Sequence, residues 1–598
     1  MRRLEAVLAA WPCAMATVVV LLALATGVAP AATEPKHDDG AVVVVSSTIG
    51  TTASPSSTAM NVTAICQTTP YPSACETALS SSSSPAPPPG GSSSSSSSSA
   101  ADPFAASVQY AMARALSARA VARNVSAAHR RRPPPRGAAH RPPPGVQDCA
   151  ELLDISLDQL GDALAAAGAG GGGGDADGVT TWLSAALTNQ ATCGDSLAAD
   201  ADTAGRDAVR ARVSALSQFI ATALALHVNK IKGHESSSSS RSSPSGSSSP
   251  STPAATTTAF PSWVTQQDRN LLEFSAGASG GAIVADAVVA LDGSGTHRSI
   301  NEAIAAVTGG GGGSSGRKVI HVKAGRYEES VSISSKQKNV MLMGDGKGKS
   351  VIVGHKSAGE GYTTYASATV AAMGSGFIAK GLTILNTAGA GKGQAVALRV
   401  GGDLSVVYQC GIQAYQDTLY VHSGRQFYAG TDIAGTVDFI FGNAAVVLQS
   451  CDIQARRPSP GQEDTVTAQG RTDPNQNTGI SIHRCRVTAA PDLAGTATPV
   501  YLGRPWRRYS RTVVMESFLD RSVSPAGWLE WSGQFALSTL YYGEYGNTGP
   551  GAGTSRRVTW PGVHTSLSRS DAVRFTVAEF IVGDAWLGGT GVNYISGL

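Results

Sequence analysis

Apolar residues follow two different rhythms along this chain. Between residues 60 and 232, alanine and leucine recur at the three- and four-residue spacing of an amphipathic helix, with few β-branched clusters. That spacing predicts helices over 104–129, 148–167, 179–197 and 206–231, and four such helices fit an up-and-down bundle, an all-α domain at 60–232. From about Ala282 the rhythm shortens. Runs such as Val319–Val322, Val340–Met343, Val351–Val353, Ala395–Val400 and Val446–Gln449 read as short strands of an all-β domain at 283–598.

The β half repeats itself. Cys410-Gly-Ile-Gln-Ala-Tyr-Gln-Asp417-Thr-Leu-Tyr420 aligns with Thr431-Asp-Ile-Ala-Gly-Thr-Val-Asp438-Phe-Ile-Phe441, placing Ile412 on Ile433, Leu419 on Ile440 and Tyr420 on Phe441. The start of the unit returns at Cys451 and, more loosely, at Cys485. A period of about 20 residues with Gly, Asn and Asp turns is the pattern of a stacked β-solenoid, whose neighbouring coils lie roughly 4.8 Å apart. Asp417 and Asp438 fall on equivalent positions 21 residues apart, so two carboxylates are expected one strand spacing from each other. Carboxylates that close do not both ionise readily; one keeps its proton and the other stays charged, which supplies an acid beside a nucleophile or base. Aspartates in solenoids also serve simply to close turns. Two features favour chemistry: Asp417 follows Gln416, and Asp438 interrupts the apolar run Val437-Asp438-Phe439-Ile440-Phe441, where a carboxylate needs a charge partner or a function.

Composition adds limits. Charged residues make up 15% of the 598 and the net charge is +3, too weak a bias to indicate nucleic acid. Arg2 and Arg3 precede an apolar stretch from about Trp11 to Ala32 with small residues at Ala29-Pro-Ala31, so 1–32 reads as a secretory signal peptide or an uncleaved signal anchor in the membrane. No other stretch reads as long and apolar enough to span a bilayer. Passage through the secretory route makes disulfides plausible, and with Cys13 set aside seven cysteines remain, an odd number that leaves one thiol free. Asn61-Val-Thr63 and Asn124-Val-Ser126 are glycosylation sequons. Low-complexity tracts mark disordered inserts at 79–100 and 130–144, a loop at the glycine run 170–174, and a Ser-rich linker and processing region at 234–282. Gly344-Asp-Gly-Lys-Gly-Lys-Ser350 imitates a phosphate loop, but Met343 stands where that motif needs glycine and a strand follows where it needs a helix, so it reads as a turn. The scattered histidines and the lack of HExxH or paired CxxC motifs argue against a metal, and no cofactor is implied.

Five motifs in order carry a family resemblance: Gly325-Arg-Tyr327-Glu-Glu329, Gln394-Ala-Val-Ala-Leu398, Tyr415-Gln-Asp417-Thr-Leu-Tyr420, Gly435-Thr-Val-Asp438-Phe-Ile-Phe-Gly442 and Leu502-Gly-Arg504-Pro-Trp506. Residues 283–598 resemble the plant pectin methylesterases, and the N-terminal half, through Ile65-Cys66-Gln-Thr-Thr-Pro-Tyr-Pro-Ser-Ala-Cys75, resembles the inhibitor domain that precedes many of them. The resemblance implies a right-handed parallel β-helix that removes methyl esters from the galacturonate of pectin (methylated homogalacturonan) in the plant cell wall. It implies Asp438 as nucleophile, Asp417 as general acid then base, Gln416 as transition-state stabiliser and Gln394 as a second oxyanion donor that also meets substrate. Thr364, Arg504 and Trp506 would bind substrate, with Tyr365, Tyr420 and Trp531 as aromatic platforms. It further implies the disulfides Cys66–Cys75 and Cys149–Cys193.

The chain departs from the family pattern at three places. Thr431 stands where a cysteine partner for Cys410 is expected, which leaves Cys410 unpaired and Cys451–Cys485 as the solenoid disulfide. Tyr365 replaces an expected Phe in the cleft. Asp268-Arg-Asn-Leu-Leu272 resembles a dibasic processing site in which Asn270 replaces one basic residue. The competing readings are a pectin depolymerase on the same fold, glycoside hydrolase or lyase, since paired carboxylates also fit a retaining glycosidase, and a non-enzymatic inhibitor with a degenerate solenoid. Two glutamines beside the acids favour acyl chemistry, because an oxocarbenium ion needs no oxyanion hole.

Overall fold

The computed structural model describes residues 61–81, 102–131, 144–168, 176–199, 205–239, 284–309 and 316–598. The leader at 1–32, the glycine run, the 268–272 junction and most of both inserts lie outside them. Four long helices form the bundle: α3 (Pro103–Arg131), α4 (Pro144–Gly168), α5 (Ala176–Ala199) and α6 (Arg206–Ser239), preceded by the short α1 (Val62–Cys66) and α2 (Pro72–Ser81). Their facing stripes bury Val108, Leu152, Leu183 and Leu216 in one core. The Cys149–Cys193 disulfide ties α4 to α5, and Cys66–Cys75 ties α1 to α2.

Some boundaries move. Residues 79–81, 130–131 and 144, expected in the inserts, are helical, and α6 runs past 232 to Ser239, six residues into the expected linker. Arg206–Gly233 is also long and apolar enough to cross a membrane, contrary to the expectation for the rest of the chain, yet it packs into the bundle core. The two short helices carry too few residues to show a helical period; Asn61 caps the first, accepting from the Ala64 N–H at 3.1 Å.

The β half is a parallel β-helix of three sheets with 11, 7 and 8 strands. Its register is the one the repeat predicts: Ile412 pairs with Ile433, Leu419 with Ile440 and Tyr420 with Phe441. The column Ile412, Ile433, Ile453, Val487 continues through the core of the eight-stranded sheet. The predicted strand Ala395–Val400 shortens to Leu398–Val400, because the backbone of Ala395 bonds to Gln416 in a turn. Residues 345–349 form the turn between two strands that end at Gly344 and begin at Ser350.

The expected Cys451–Cys485 disulfide is absent. Both are free buried thiols, as is Cys410. They occupy successive rungs, and the Cys451 N–H points at the Cys485 sulfur 3.4 Å away. Parallel side chains one strand spacing apart, roughly 4.8 Å, exceed the Cβ–Cβ separation of about 3.5–4.5 Å that a disulfide takes.

Candidate active site

The seven-stranded sheet builds the site. Its central strands are Leu398–Val400, Leu419–Val421, Ile440–Gly442 and Asp464–Gln469. Leu398, Val400, Leu419, Val421 and Ile440 point into the solenoid core, so the alternate residues Arg399, Tyr420, Phe441 and Ala468 line the outer face in one row. Gly442, at φ 129°, keeps this row closely packed: a Cβ there would lie 2.1 Å from the Val421 carbonyl oxygen.

Asp417 and Asp438 each sit two residues before one of these strands, in the left-handed region at φ 62° and 53°, a conformation aspartate tolerates better than most residues. The Asp417 N–H donates to the Val437 carbonyl at 3.1 Å, which stacks the two turns. Their surroundings differ. Arg504 holds Asp438 in a fork, Nε to one carboxylate oxygen at 2.8 Å and Nη2 to the other at 2.7 Å. The Thr465 hydroxyl donates to the same carboxylate at 2.6 Å and accepts from the Asp438 N–H at 2.7 Å. Asp417 is buried, and among the described residues its carboxyl has no hydrogen-bond partner. Burial pushes its pKa well above the usual carboxylate range, and the charge of Asp438 pushes the same way against Arg504. Burial works against the Arg504 charge, but its bonds to Asp438 outweigh that and hold its pKa above the ordinary arginine value.

Gln394 and Gln416 flank the pair on hydrogen-bonded turns, the Ala395 N–H donating to the Gln416 carbonyl at 3.1 Å, and both side chains are half-buried. Tyr420 stacks on Phe441 with ring centroids 4.2 Å apart, and Trp506 meets the edge of Phe441 at 5.9 Å. Trp531 is partly exposed beside Arg504, whose guanidinium carbon lies 4.5 Å from its ring centroid. Thr364 immediately precedes the short 3-10 turn Tyr365–Ser367, and its side chain makes no capping hydrogen bond there. Among the predicted residues, Arg504 joins Asp438 and packs on Trp531, and Tyr365, Tyr420 and Trp506 share one apolar cluster. Among the described residues no group of three His, Cys, Asp or Glu side chains is placed to hold a metal ion. Sequence reasoning missed Thr465, whose only signal was its place one rung beyond Asp438, and Arg399.

A family model described as Pectinesterase matches residues 286–584, and one described as Plant invertase/pectin methylesterase inhibitor matches 60–226. The chain is 49% identical over 495 residues, 83% of its length and 88% of the relative's, to "Probable pectinesterase/pectinesterase inhibitor 35" of Arabidopsis thaliana. The chain belongs to the pectinesterase family. It is also 48% identical to "Pectinesterase 2" of Citrus sinensis over 76% of this chain and 81% of that one. Among solved structures, pectin methylesterase from carrot matches at 55% identity and TM-score 0.52, over 54% of this chain and all of the carrot chain. The solved carrot chain stands as a folded structure over a length that matches only 54% of this chain.

In this pectinesterase the inhibitor-type bundle lies on the cleft. Asp148 and Glu151, three residues apart on α4, accept hydrogen bonds from the Thr363 hydroxyl and from the Tyr365 hydroxyl, the latter at 3.0 Å. On α5, Thr192 is 3.3 Å from the Tyr420 hydroxyl and 3.0 Å from His422 Nε2, and Thr188 accepts from the Asn443 amide at 2.8 Å. Asp195 pairs with Arg507. Tyr365, Tyr420 and Phe441, the expected sugar platforms and their neighbour, are packed in one apolar cluster with the bundle helices. Burial lowers the His422 pKa to about 3, so this contact is made by a neutral ring.

Proposed function

We propose that this pectinesterase cleaves galacturonate methyl esters of pectin through an aspartyl acyl-enzyme. The observation that carries the reading is the asymmetry of the stacked pair: Asp417 is buried without a hydrogen-bond partner among the described residues, whereas Asp438 is held in the Arg504 fork and accepts from Thr465. Asp438 attacks the ester carbonyl, and the amides of Gln416 and Gln394 donate to the oxyanion. Asp417 gives its proton to departing methanol, then takes one from the water that frees the acid. Arg504, Trp506, Thr364, Tyr365, Tyr420 and Trp531 position the polymer. Loss of one oxyanion donor typically costs about 10²–10³ in rate. Gln416→Ala in residues 284–598 should lower kcat for methanol release by that factor with KM little changed; an unaltered kcat would remove Gln416 from the mechanism. The depolymerase reading loses ground to the family match. The N-terminal signal supports export to the cell wall, which the mature N-terminus of the exported protein checks.

The second part of the proposal is that the bundle restrains the enzyme in cis, since it occupies the cleft in the same chain. Asp148 is the titrating contact. It faces Thr363, Ser196, Arg399 and Glu151, and burial, opposed by the Thr363 and Ser196 hydroxyls, raises its pKa to about 7 from 3.8. The docked state thus binds this proton more tightly than the undocked one. Its contribution to docking is fully present below about pH 4, falls as pH rises toward 7, and changes no further above that. Docking should weaken by up to about tenfold per pH unit in that window. Activity of the full chain relative to 284–598, measured from pH 4 to 8, should rise with pH, and Asp148→Asn should flatten the rise. A ratio that falls with pH would contradict the assignment.

A further inference from the structure

One cation in the cleft is left without a partner by the mechanism. Arg399 stands in the outer row of the seven-stranded sheet, paired in register with Ala371 on one side and Tyr420 on the other. It is 5% exposed. Its guanidinium lies 3.3 Å from the Tyr365 ring centroid, Nη1 points at the Met373 sulfur 3.0 Å away, and buried Nε has no partner. Among the described residues it forms no ion pair. Its position is costly for a structural arginine: a buried guanidinium is tolerated when anions and acceptors satisfy its five donors. The carboxylates nearest in effect belong to the bundle. Asp148 feels the Arg399 charge, and both Glu151 and Arg399 act on Tyr365. When the bundle leaves, the Thr363 and Tyr365 hydroxyls lose their acceptors and Arg399 loses the bundle carboxyl groups beside it.

We infer that Arg399, with Thr363 and Tyr365, forms a subsite for the free carboxylate of an already de-esterified galacturonate near the ester being cleaved. The inference rests on the esterase reading above and adds a specificity to it. Methyl-esterified units are neutral and de-esterified units are anionic, so a desolvated guanidinium discriminates between them by charge and by bidentate hydrogen bonding. Arg399 lies one strand from the coil of Tyr420 and two from that of Phe441, roughly 5–10 Å at the inter-strand spacing. That is the scale of the next sugar or two along the polymer. Asp148 and Glu151 hold the Thr363 and Tyr365 hydroxyls in the docked state, so the bundle and the product would compete for one place.

The test compares two oligogalacturonates of equal length, one fully methyl-esterified and one with about half its carboxylates free, as substrates for 284–598, Arg399→Gln and Arg399→Lys. The ratio of kcat/KM on the mixed substrate to that on the esterified one should fall about tenfold in Arg399→Gln, through KM, the size expected for one charge-assisted contact. Arg399→Lys should keep part of the preference, and the wild-type preference should shrink with added salt. Unesterified trigalacturonate should bind Arg399→Gln about tenfold more weakly. An equal loss on both substrates, or an unchanged ratio, would assign Arg399 to structure and overturn the inference. A wild-type protein releasing no methanol from either substrate would overturn the esterase reading itself, and the subsite with it.

Discussion

Asp438→Ala in residues 284–598 should reduce methanol release from highly methylated pectin by about 10⁴-fold or more, the scale seen when a covalent nucleophile is removed. The wild-type fragment should release methanol without shortening the polymer. Alanine leaves a gap and removes both acceptors of the Arg504 fork, so Asp438→Asn is the companion variant: it keeps the size and one acceptor oxygen but offers no anion to attack the carbonyl. Both should be inactive, and the asparagine form should unfold at a temperature closer to wild type than the alanine form does. Activity within tenfold of wild type in either would end the acyl-enzyme proposal. Shortened chains without methanol would move the chemistry to the depolymerase class and strip Gln394 and Gln416 of their oxyanion role.

Separated from the bundle, 284–598 should be about 10²–10³-fold more active on polymeric pectin than the full chain near pH 5. The size follows from tethering. An inhibitor held in the same molecule acts at an effective concentration of the order of millimolar, so even a micromolar contact leaves about one molecule in a thousand open. Thr192, Thr188, Asp148, Glu151 and Asp195 all contact the cleft side, and the aromatic row is sealed against α4 and α5. Equal activity of the two forms would show that the docked arrangement does not restrain the enzyme.

Much of this could be read from residues alone, for a physical reason. A parallel β-helix converts sequence period into vertical stacking, so aligning Asp417 with Asp438 in the text placed them on successive rungs in space. The four long helices were legible for a similar reason, each carrying enough turns for its stripe to show. What stayed hidden depends on contacts between segments far apart in the chain. Thr465 reaches Asp438 through a loop of unrelated sequence, Arg399 reads as one more strand residue, and Asp148 and Glu151 resemble any solvated helix face until α4 meets Tyr365. The cysteines failed differently. Counting thiols cannot tell a bonded pair from two that sit on parallel rungs, as Cys451 and Cys485 do.

The position of the bundle ahead of the cleft has a consequence during translation. The last bundle helix ends at Ser239, and the cleft is complete only once Trp531 has been made. At roughly 5–20 residues per second, the intervening stretch of about 290 residues takes some 15–60 s to synthesise. The helices, whose contacts are local, fold well within that interval. Under the proposed restraint in cis, the bundle is therefore folded before the cleft it covers exists. Each new catalytic groove would then form against a partner already in place, with no interval in which it stands uncovered.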